Sequence, residues 1–415
     1  MPSPPRLLRI TTVPISLKLL LRGQFTFFKS HGFEVLTVSA DGAEVKDMIE
    51  DGITHQVVPM TRTITPVSDF VSLIKLIQVI RKFNPDIVHT HTPKAGLLGM
   101  MAAWVCRVPV RMHTVAGLPL MEATGVKKMI LKITERITYA CATNVYPNSK
   151  GLFDFIISEF QIPDSRFQTS VEQVAERDRP QFEIRNSKFK IIGRGSSNGI
   201  DSSFFSRTPE LQNRADEIRK QYHIPEGAIV FSFVGRMVKD KGIVELITAF
   251  KMILKTREDA YLLLVGPLEQ ELDPLPAEVL DFIQQHPQVV AAGYQNDVRP
   301  WMVASDVFVF PSYREGFPNV VMQAACLEVP CIVSDINGCN EIIEAQVNGL
   351  IVPAKDAKAL YEAMHAMMTD ERKRQSFAKK SREFVSKNFD QQFVWGQLLA
   401  EYRRVLKQSE GSPNR

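Results

Sequence analysis

Two loops in the second half of the chain carry residue types whose spacing suits chemistry on a charged ligand. The first, Gly235-Arg236-Met237-Val238-Lys239-Asp240-Lys241-Gly242, follows a β-rich run that ends at Val234. In open parallel sheets ligands bind outside the carboxyl ends of the strands, where loops feed helix N-termini. Arg236 offers a planar fork of donors and Lys241 a point charge, a pairing suited to a diphosphate. A solvated basic turn is the plainer alternative; the position at a strand end favours the ligand. The second loop, Pro311-Ser312-Tyr313-Arg314-Glu315-Gly316-Phe317-Pro318-Asn319-Val320-Val321, sets a carboxylate before a glycine turn into a helix start. Backbone N–H groups and the helix dipole there favour phosphate, and Glu315 can hold hydroxyl groups. An ordinary helix-start carboxylate is the alternative.

These loops need a frame, and the hydrophobic patterning supplies one. In the first half, strand-like runs at 7–13, 34–39 and 56–59 alternate with a helical stretch over 17–30. Ser68 or Asp69 is placed to cap a further helix with Leu73, Ile74, Ile77 and Ile80 on one face, and Asn84-Pro85 ends it before Ile87-Val88. The same grammar restarts near 229, with strands at 229–234, 261–265, 289–291, 307–310 and 331–333 and helices at 243–254 and 320–327. Strands alternating with helices predict parallel, doubly wound sheets. The stretch 164–188 is polar and weakly periodic, and the Gly/Ser-rich 193–201 leads to a linker expected near 198–207. A final helix over 390–406 has no strand to return to and is expected to pack back on the first domain. The expected domains are therefore 1–198 and 199–389, with 390–415 crossing back.

Bulk properties narrow the function. A chain of 415 residues exceeds what one core usually organises, and a formal charge of +4 is too mild to imply nucleic acid. Five cysteines form no CxxC pair and no zinc-like spacing, which suits a reduced, cytoplasmic protein. The apolar run at 15–21 is broken by Lys18 and lacks a cleavage site, and no stretch reaches the ~20 apolar residues of a membrane span. The dinucleotide glycine fingerprint and the Walker A motif are both absent. There is also no Asp-x-Asp pair, so charge neutralisation falls to Arg236, Lys241 and the helix dipole, and no metal is expected.

At this point the chain resembles glycosyltransferase family 4, the retaining enzymes of GT-B architecture. The resemblance spans nearly the whole chain and is densest in FVGRMVKDKG at 233–242, LLLVGPLE at 262–269, ASDVFVFPSYREGFPNVVMQAACLEVPCIVSD at 304–335, Gly338 with Glu341, and NGLIVP at 348–353. It implies an α/β fold of two Rossmann-like domains facing a cleft, the first for the acceptor and the second for a nucleotide-sugar donor. By the same resemblance Arg236 and Lys241 neutralise the donor diphosphate and Glu315 contacts the donor sugar. The backbone of Gly316, Phe317, Pro318 and Asn319 cradles sugar and phosphate, with Gly235 and Val320 in the same donor-binding set. The family often has a second Glu, separated from the first by seven residues, at the nucleotide ribose. Gln323 stands there, a neutral and weaker acceptor.

The first half is similar to the subset of the family that builds bacterial surface glycans on polyprenyl diphosphate carriers. The matching runs are LRITTVPISLKLLLRGQ at 8–24, DIVHTHTPKAGLLG at 86–99, VRMHTVAGLPLMEATG at 110–125 and YPNSKGL at 146–152. An acceptor-side or catalytic His often lies in the loop equivalent to 113–117, in a His-Gly pair. Here Ala116-Gly117 occupies that place with His113 three residues earlier, and His91 competes for the role. Satisfied histidines at strand ends are the alternative for His89, His91 and His113. Lys94 is a candidate for an acceptor phosphate, against simple exposure. The segment 126–139 reads as a helix with Met129, Ile130, Ile133 and Ile137 on an apolar side beside Lys127, Lys128, Lys132 and Arg136. It either faces the core or lies on anionic lipid.

The resemblance thus implies transfer of a hexose or N-acetylhexosamine from a nucleotide diphosphate sugar, UDP being the commonest, to a polyprenyl-diphosphate-linked saccharide at the inner face of the cytoplasmic membrane. A sugar-nucleotide epimerase and a non-catalytic sugar-nucleotide-binding subunit are the alternatives.

Overall fold

The computed structural model describes residues 3–410 apart from 22, 64, 163–185, 258 and 272. The polar stretch expected at 164–188 lies almost wholly outside the described residues. The chain divides into two compact units, 1–198 with 392–415, and 199–391.

The first unit is built on a six-stranded sheet in the order β3-β2-β1-β4-β5-β6. Its strands are β1 Arg6–Ile10, β2 Glu34–Ser39, β3 His55–Val57, β4 Ile87–His91, β5 Val110–Val115 and β6 Asn144–Pro147, and every pairing is parallel. Parallel strands need crossovers, and helices therefore cover both faces. One face carries Leu8, Ile10, Val88 and Val145 under the crossover helices, and the other packs Leu7, Ile87 and Met112 against Phe25, Phe28 and the helix Gln391–Glu410. That last helix does pack on the first sheet, through Leu398, Leu399, Tyr402 and Val405.

The second unit repeats the plan in the order β12-β11-β10-β7-β8-β9. Its strands are β7 Ile229–Val234, β8 Ala260–Val265, β9 Val289–Gly293, β10 Val307–Phe310, β11 Cys331–Ser334 and β12 Gly349–Val352. β7 is buried along its whole length. The helix Ile243–Leu254 buries Leu246, Ile247, Phe250 and Ile253 on one side, each such side chain contributing roughly 1.5–3 kcal/mol. Together the two sheets define a two-domain GT-B fold.

Three local expectations are corrected. The helix expected over 17–30 is split into a wide turn at Ser16–Leu20 and a helix at Gln24–Ser30, because Gly23 takes φ +81° with Trp395 pressed against it. The next helix begins at Pro66 rather than after Ser68 or Asp69, since proline is preset for a first helical turn. Asp69 instead reaches back to accept from the Thr65 N–H at 3.1 Å. The inward side of that helix is Ser72, Leu76 and Ile80, and Ile74 points outward.

Candidate active site

In the second unit β10 pairs with β7, so the loops leaving their carboxyl ends are neighbours. Close approach is permitted by Gly242, at φ +71°, where a Cβ would lie 2.1 Å from the Pro311 carbonyl oxygen. The Tyr313 N–H then donates to the Asp240 carbonyl at 2.9 Å, locking one loop to the other. The consequence is an ion pair: Lys241 Nζ donates to Glu315 Oε1 at 2.6 Å, with both side chains largely buried at 15% and 20% exposure. Ser312 Oγ donates to the same oxygen at 3.1 Å.

Arg236 leaves the same loop and stays exposed, its Nη1 donating to Glu269 Oε2 at 3.1 Å. Each cation thus stands beside a carboxylate that an incoming diphosphate would have to displace or share. Beyond Glu315 the chain runs through buried Gly316, Phe317 and Pro318 over Gly338, where a Cβ would come within 2.5 Å of the Gly316 carbonyl oxygen. The helix Asn319–Cys326 follows without a side-chain N-cap; in its first turn the Val321 N–H donates to the Pro318 carbonyl at 3.2 Å, and no side chain occupies the helix start. Val320 and Gln323 are half-buried in that helix, and Gly235 is half-buried where β7 ends.

Sequence reasoning did not single out the carboxylates that hold the loops. Asp273 accepts from the Asp240 N–H at 2.7 Å, Arg314 reaches Asp240 at 3.4 Å, and Tyr313 donates to Glu245 at 2.7 Å. Glu269 was the most findable, since it sits in the loop after β8, at the same sheet edge as Arg236.

In the first unit, strand alternation separates the three histidines. His113 points under the helix Pro93–Val105, 1% exposed, and its ring occupies the space a Cβ at Gly96 would need. Its Nδ1 lies 2.8 Å from Thr90 Oγ1, and burial brings its pKa down to about 4. The structure therefore does not bring His113 to the open strand ends, because residue 113 faces the helix layer while Thr114 faces the other way.

His89 and His91 share the opposite face with Arg9, which is fully buried. Arg9 Nη2 lies 2.7 Å from His91 Nε2, and Nη1 donates to Tyr402 OH at 2.6 Å. Arginine has only donors, so His91 Nε2 accepts and its proton sits on Nδ1. Tyr402 in turn gives its proton to His89 Nδ1 at 2.7 Å, leaving His89 Nε2–H for Thr114 Oγ1 at 2.7 Å. Burial first, then neighbouring positive charge, holds both histidines well below their ordinary pKa, so they are neutral. His91 lines a small cavity with Thr114, Asn148 and Ser197 at the ends of β4, β5 and β6. Lys94, in contrast, is bound to Asp69 at 2.6 Å with 9% of its side chain exposed, and is not a free cation.

The helix Gly125–Cys141 also departs from a core-facing reading. It buries Glu135, Thr138, Tyr139 and Cys141 and turns Met129, Ile130, Ile133 and Ile137 outward. Lys128 and Lys132 pair with Glu159. No described helix is long and apolar enough to cross a membrane, and among the described residues no cluster of three or more His, Cys, Asp or Glu could hold a metal ion.

Fold and loops together define a GT-B glycosyltransferase. Residues 214–384 match the family described as Glycosyl transferases group 1, and residues 17–149 match Glycosyl transferase 4-like. Over 407 residues the chain is 35% identical to the capsular polysaccharide biosynthesis glycosyltransferase CapM of Staphylococcus aureus, covering 98% of this chain and 99% of that one. It is 26% identical over 372 residues, 88% of each chain, to the UDP-Gal:alpha-D-GlcNAc-diphosphoundecaprenol alpha-1,3-galactosyltransferase of Escherichia coli. In fold it is similar to Anabaena Alr3699/HepE, solved with UDP and glucose, at a TM-score of 0.75 and 17% identity over 96% of this chain and 99% of that one. The chain belongs to glycosyltransferase family 4.

Proposed function

We propose that this glycosyltransferase moves a hexose or N-acetylhexosamine from a UDP-sugar, with retention at the anomeric carbon, to a polyprenyl-diphosphate-linked saccharide in surface polysaccharide assembly. The observation that carries the reading is the Lys241–Glu315 pair with Arg236 beside it, set at the carboxyl ends of β7 and β10 before an uncapped helix start. Arg236 and Lys241 would stabilise charge on the departing diphosphate, an effect worth several kcal/mol when such groups are preorganised. Glu315, released from Lys241, would hold hydroxyls of the donor sugar. Gln323 would bond the nucleotide ribose as a neutral amide. The acceptor hydroxyl would attack on the face the diphosphate leaves, and the leaving phosphate oxygen would take its proton. That assignment fits histidines that are already neutral and hydrogen-bonded, with His91 rather than His113 as the acceptor-side contact. No cofactor enters the scheme, since the two cations supply the charge neutralisation.

The lipid-linked acceptor is proposed from the relatives of the chain, one of which is named for a diphosphoundecaprenol substrate. The outward apolar side of Gly125–Cys141 supports a peripheral position at the inner face of the cytoplasmic membrane. Release of nucleotide from a panel of UDP- and GDP-sugars, with and without a lipid-diphosphate-sugar acceptor, tests the proposal. Acceptor-dependent release supports transfer, sugar isomerisation by donor alone indicates an epimerase, and binding without turnover indicates a non-catalytic subunit.

A further inference from the structure

Three consecutive crossover helices, Pro66–Phe83, Pro93–Val105 and Gly125–Cys141, link β3 to β4, β4 to β5 and β5 to β6. All three steps move the same way across the sheet, so right-handed connections put the helices on one face, and the middle helix packs against both neighbours. Each runs back against the strands. Its first turns therefore lie at the rim formed by the strand carboxyl ends.

Starting at that rim, both outer helices turn aliphatic and aromatic side chains outward, in Gly125–Cys141 along most of its length. In Pro66–Phe83 these are Val67, at 84% exposure, with Phe70, Val71 and Ile74, all within the first half of the helix. In Gly125–Cys141 they are Val126, Met129, Ile130, Ile133 and Ile137. The second helix is inverted for a helix of a water-facing layer, since it buries Glu135 and exposes five aliphatic residues. Paired stripes of this kind exceed the scattered single apolar residues of an ordinary surface.

Charge selects the occupant. Arg62, Lys75, Lys127 and Arg136 are exposed around the stripes and, among the described residues, enter no ion pair. The acids of the same layer are already engaged, Asp69 by Lys94 and Glu159 by Lys128 and Lys132. A second copy docked face to face would set cation against cation. A phospholipid surface offers hydrocarbon to the stripes and phosphate to the cations.

We propose that Pro66–Phe83 joins Gly125–Cys141 in one two-helix rim that seats the protein on anionic phospholipid, with the strand carboxyl ends of the first unit turned toward the lipid headgroups. This rests on the reading of a lipid-linked acceptor and adds to it an orientation, in which the acceptor diphosphate and the ends of β4 and β5 meet at headgroup depth.

The test is co-sedimentation of the full chain with phosphatidylcholine vesicles with and without phosphatidylglycerol. Binding is expected to the phosphatidylglycerol vesicles and to weaken with salt. The pairs Phe70→Ser with Ile74→Ser, and Met129→Ser with Ile133→Ser, are each expected to lower partitioning roughly tenfold without lowering the melting temperature, because all four side chains are exposed. No binding by the wild-type chain, or unchanged binding by either pair, overturns the rim. So does a concentration-dependent dimer that the same substitutions abolish. Turnover of a water-soluble, short-chain acceptor is measured in parallel: its failure with vesicle binding intact removes the transferase reading and leaves the lipid rim standing.

Discussion

Lys241 and Glu315 face each other at 2.6 Å across two loops that begin on neighbouring strands, and the glycine at 242 is what allows the loops to come so close. A cation and a carboxylate that belong to opposite parts of one proposed reaction are therefore held together before any ligand arrives. Replacing Lys241 or Arg236 by Ala should lower kcat/KM roughly 10²–10³-fold, the usual loss when one preorganised electrostatic partner is removed. Steady-state kinetics measures this directly, and undiminished turnover by Arg236→Ala would contradict the role given to it.

Glu315→Gln separates binding from turnover. With its carboxylate partner gone, Lys241 is free for phosphate, so UDP should bind several-fold more tightly in calorimetry. Turnover should fall because the donor sugar's hydroxyls then meet a neutral amide, a weaker acceptor than the carboxylate. Weaker UDP binding in this variant would show that the carboxylate organises the loop instead of competing with the ligand.

Gln323→Glu should lower the KM for the donor several-fold, since a charge-assisted hydrogen bond is roughly twice as strong as a neutral one. An unchanged KM would remove position 323 from the ribose contact.

What was legible in the sequence follows from burial. The strands at 229–234 and 307–310 and the helix at 243–254 stand where hydrophobic runs and flanking glycines place them, because both sheet faces are covered and the signal is local. The two charged loops at 235–242 and 311–321 were legible for the same reason, through the rule that strand ends carry ligands. Helix 125–141 was visible as an amphipathic pattern, but its orientation was not. Its inner side includes Glu135 and Thr138, and hydrophobic periodicity cannot reveal that the more polar side is the buried one. The network of Arg9, His89, His91 and Tyr402 was also illegible, since it joins the first strand to the last helix across nearly the whole chain.

That network makes its own prediction. Tyr402→Phe strips a partner from both Arg9 Nη1 and His89 Nδ1, all three side chains being buried, and should destabilise the chain by about 2–4 kcal/mol. The drop should appear in urea unfolding, with little change in donor KM. A loss under 0.5 kcal/mol would mean that water replaces the hydroxyl.

Glu135 gives a pH dependence with a definite sign. Burial pushes its carboxyl up to about 7, so the folded chain holds that proton more tightly than the unfolded chain, and stability falls as pH rises from about 4.5 to 7. Glu135→Gln lacks this loss and should be more stable than the wild type by about 2–3 kcal/mol at pH 8, with the difference closing toward pH 5. His113 acts in the opposite sense, because a histidine buried neutral with a pKa near 4 costs stability as pH falls from 6.5. Equal stability of the two proteins at pH 8 would place a compensating partner at Glu135.

The most direct measurement of the central claim is UDP release by the purified chain presented with UDP-sugars and a short-chain polyprenyl-diphosphate-sugar acceptor, run beside Lys241→Ala. The account predicts release from one donor only when acceptor is present, with the product keeping the donor's anomeric configuration, and a loss of roughly 10²-fold or more in the variant. Release that ignores the acceptor, an inverted product, or a variant as fast as the wild type would contradict it.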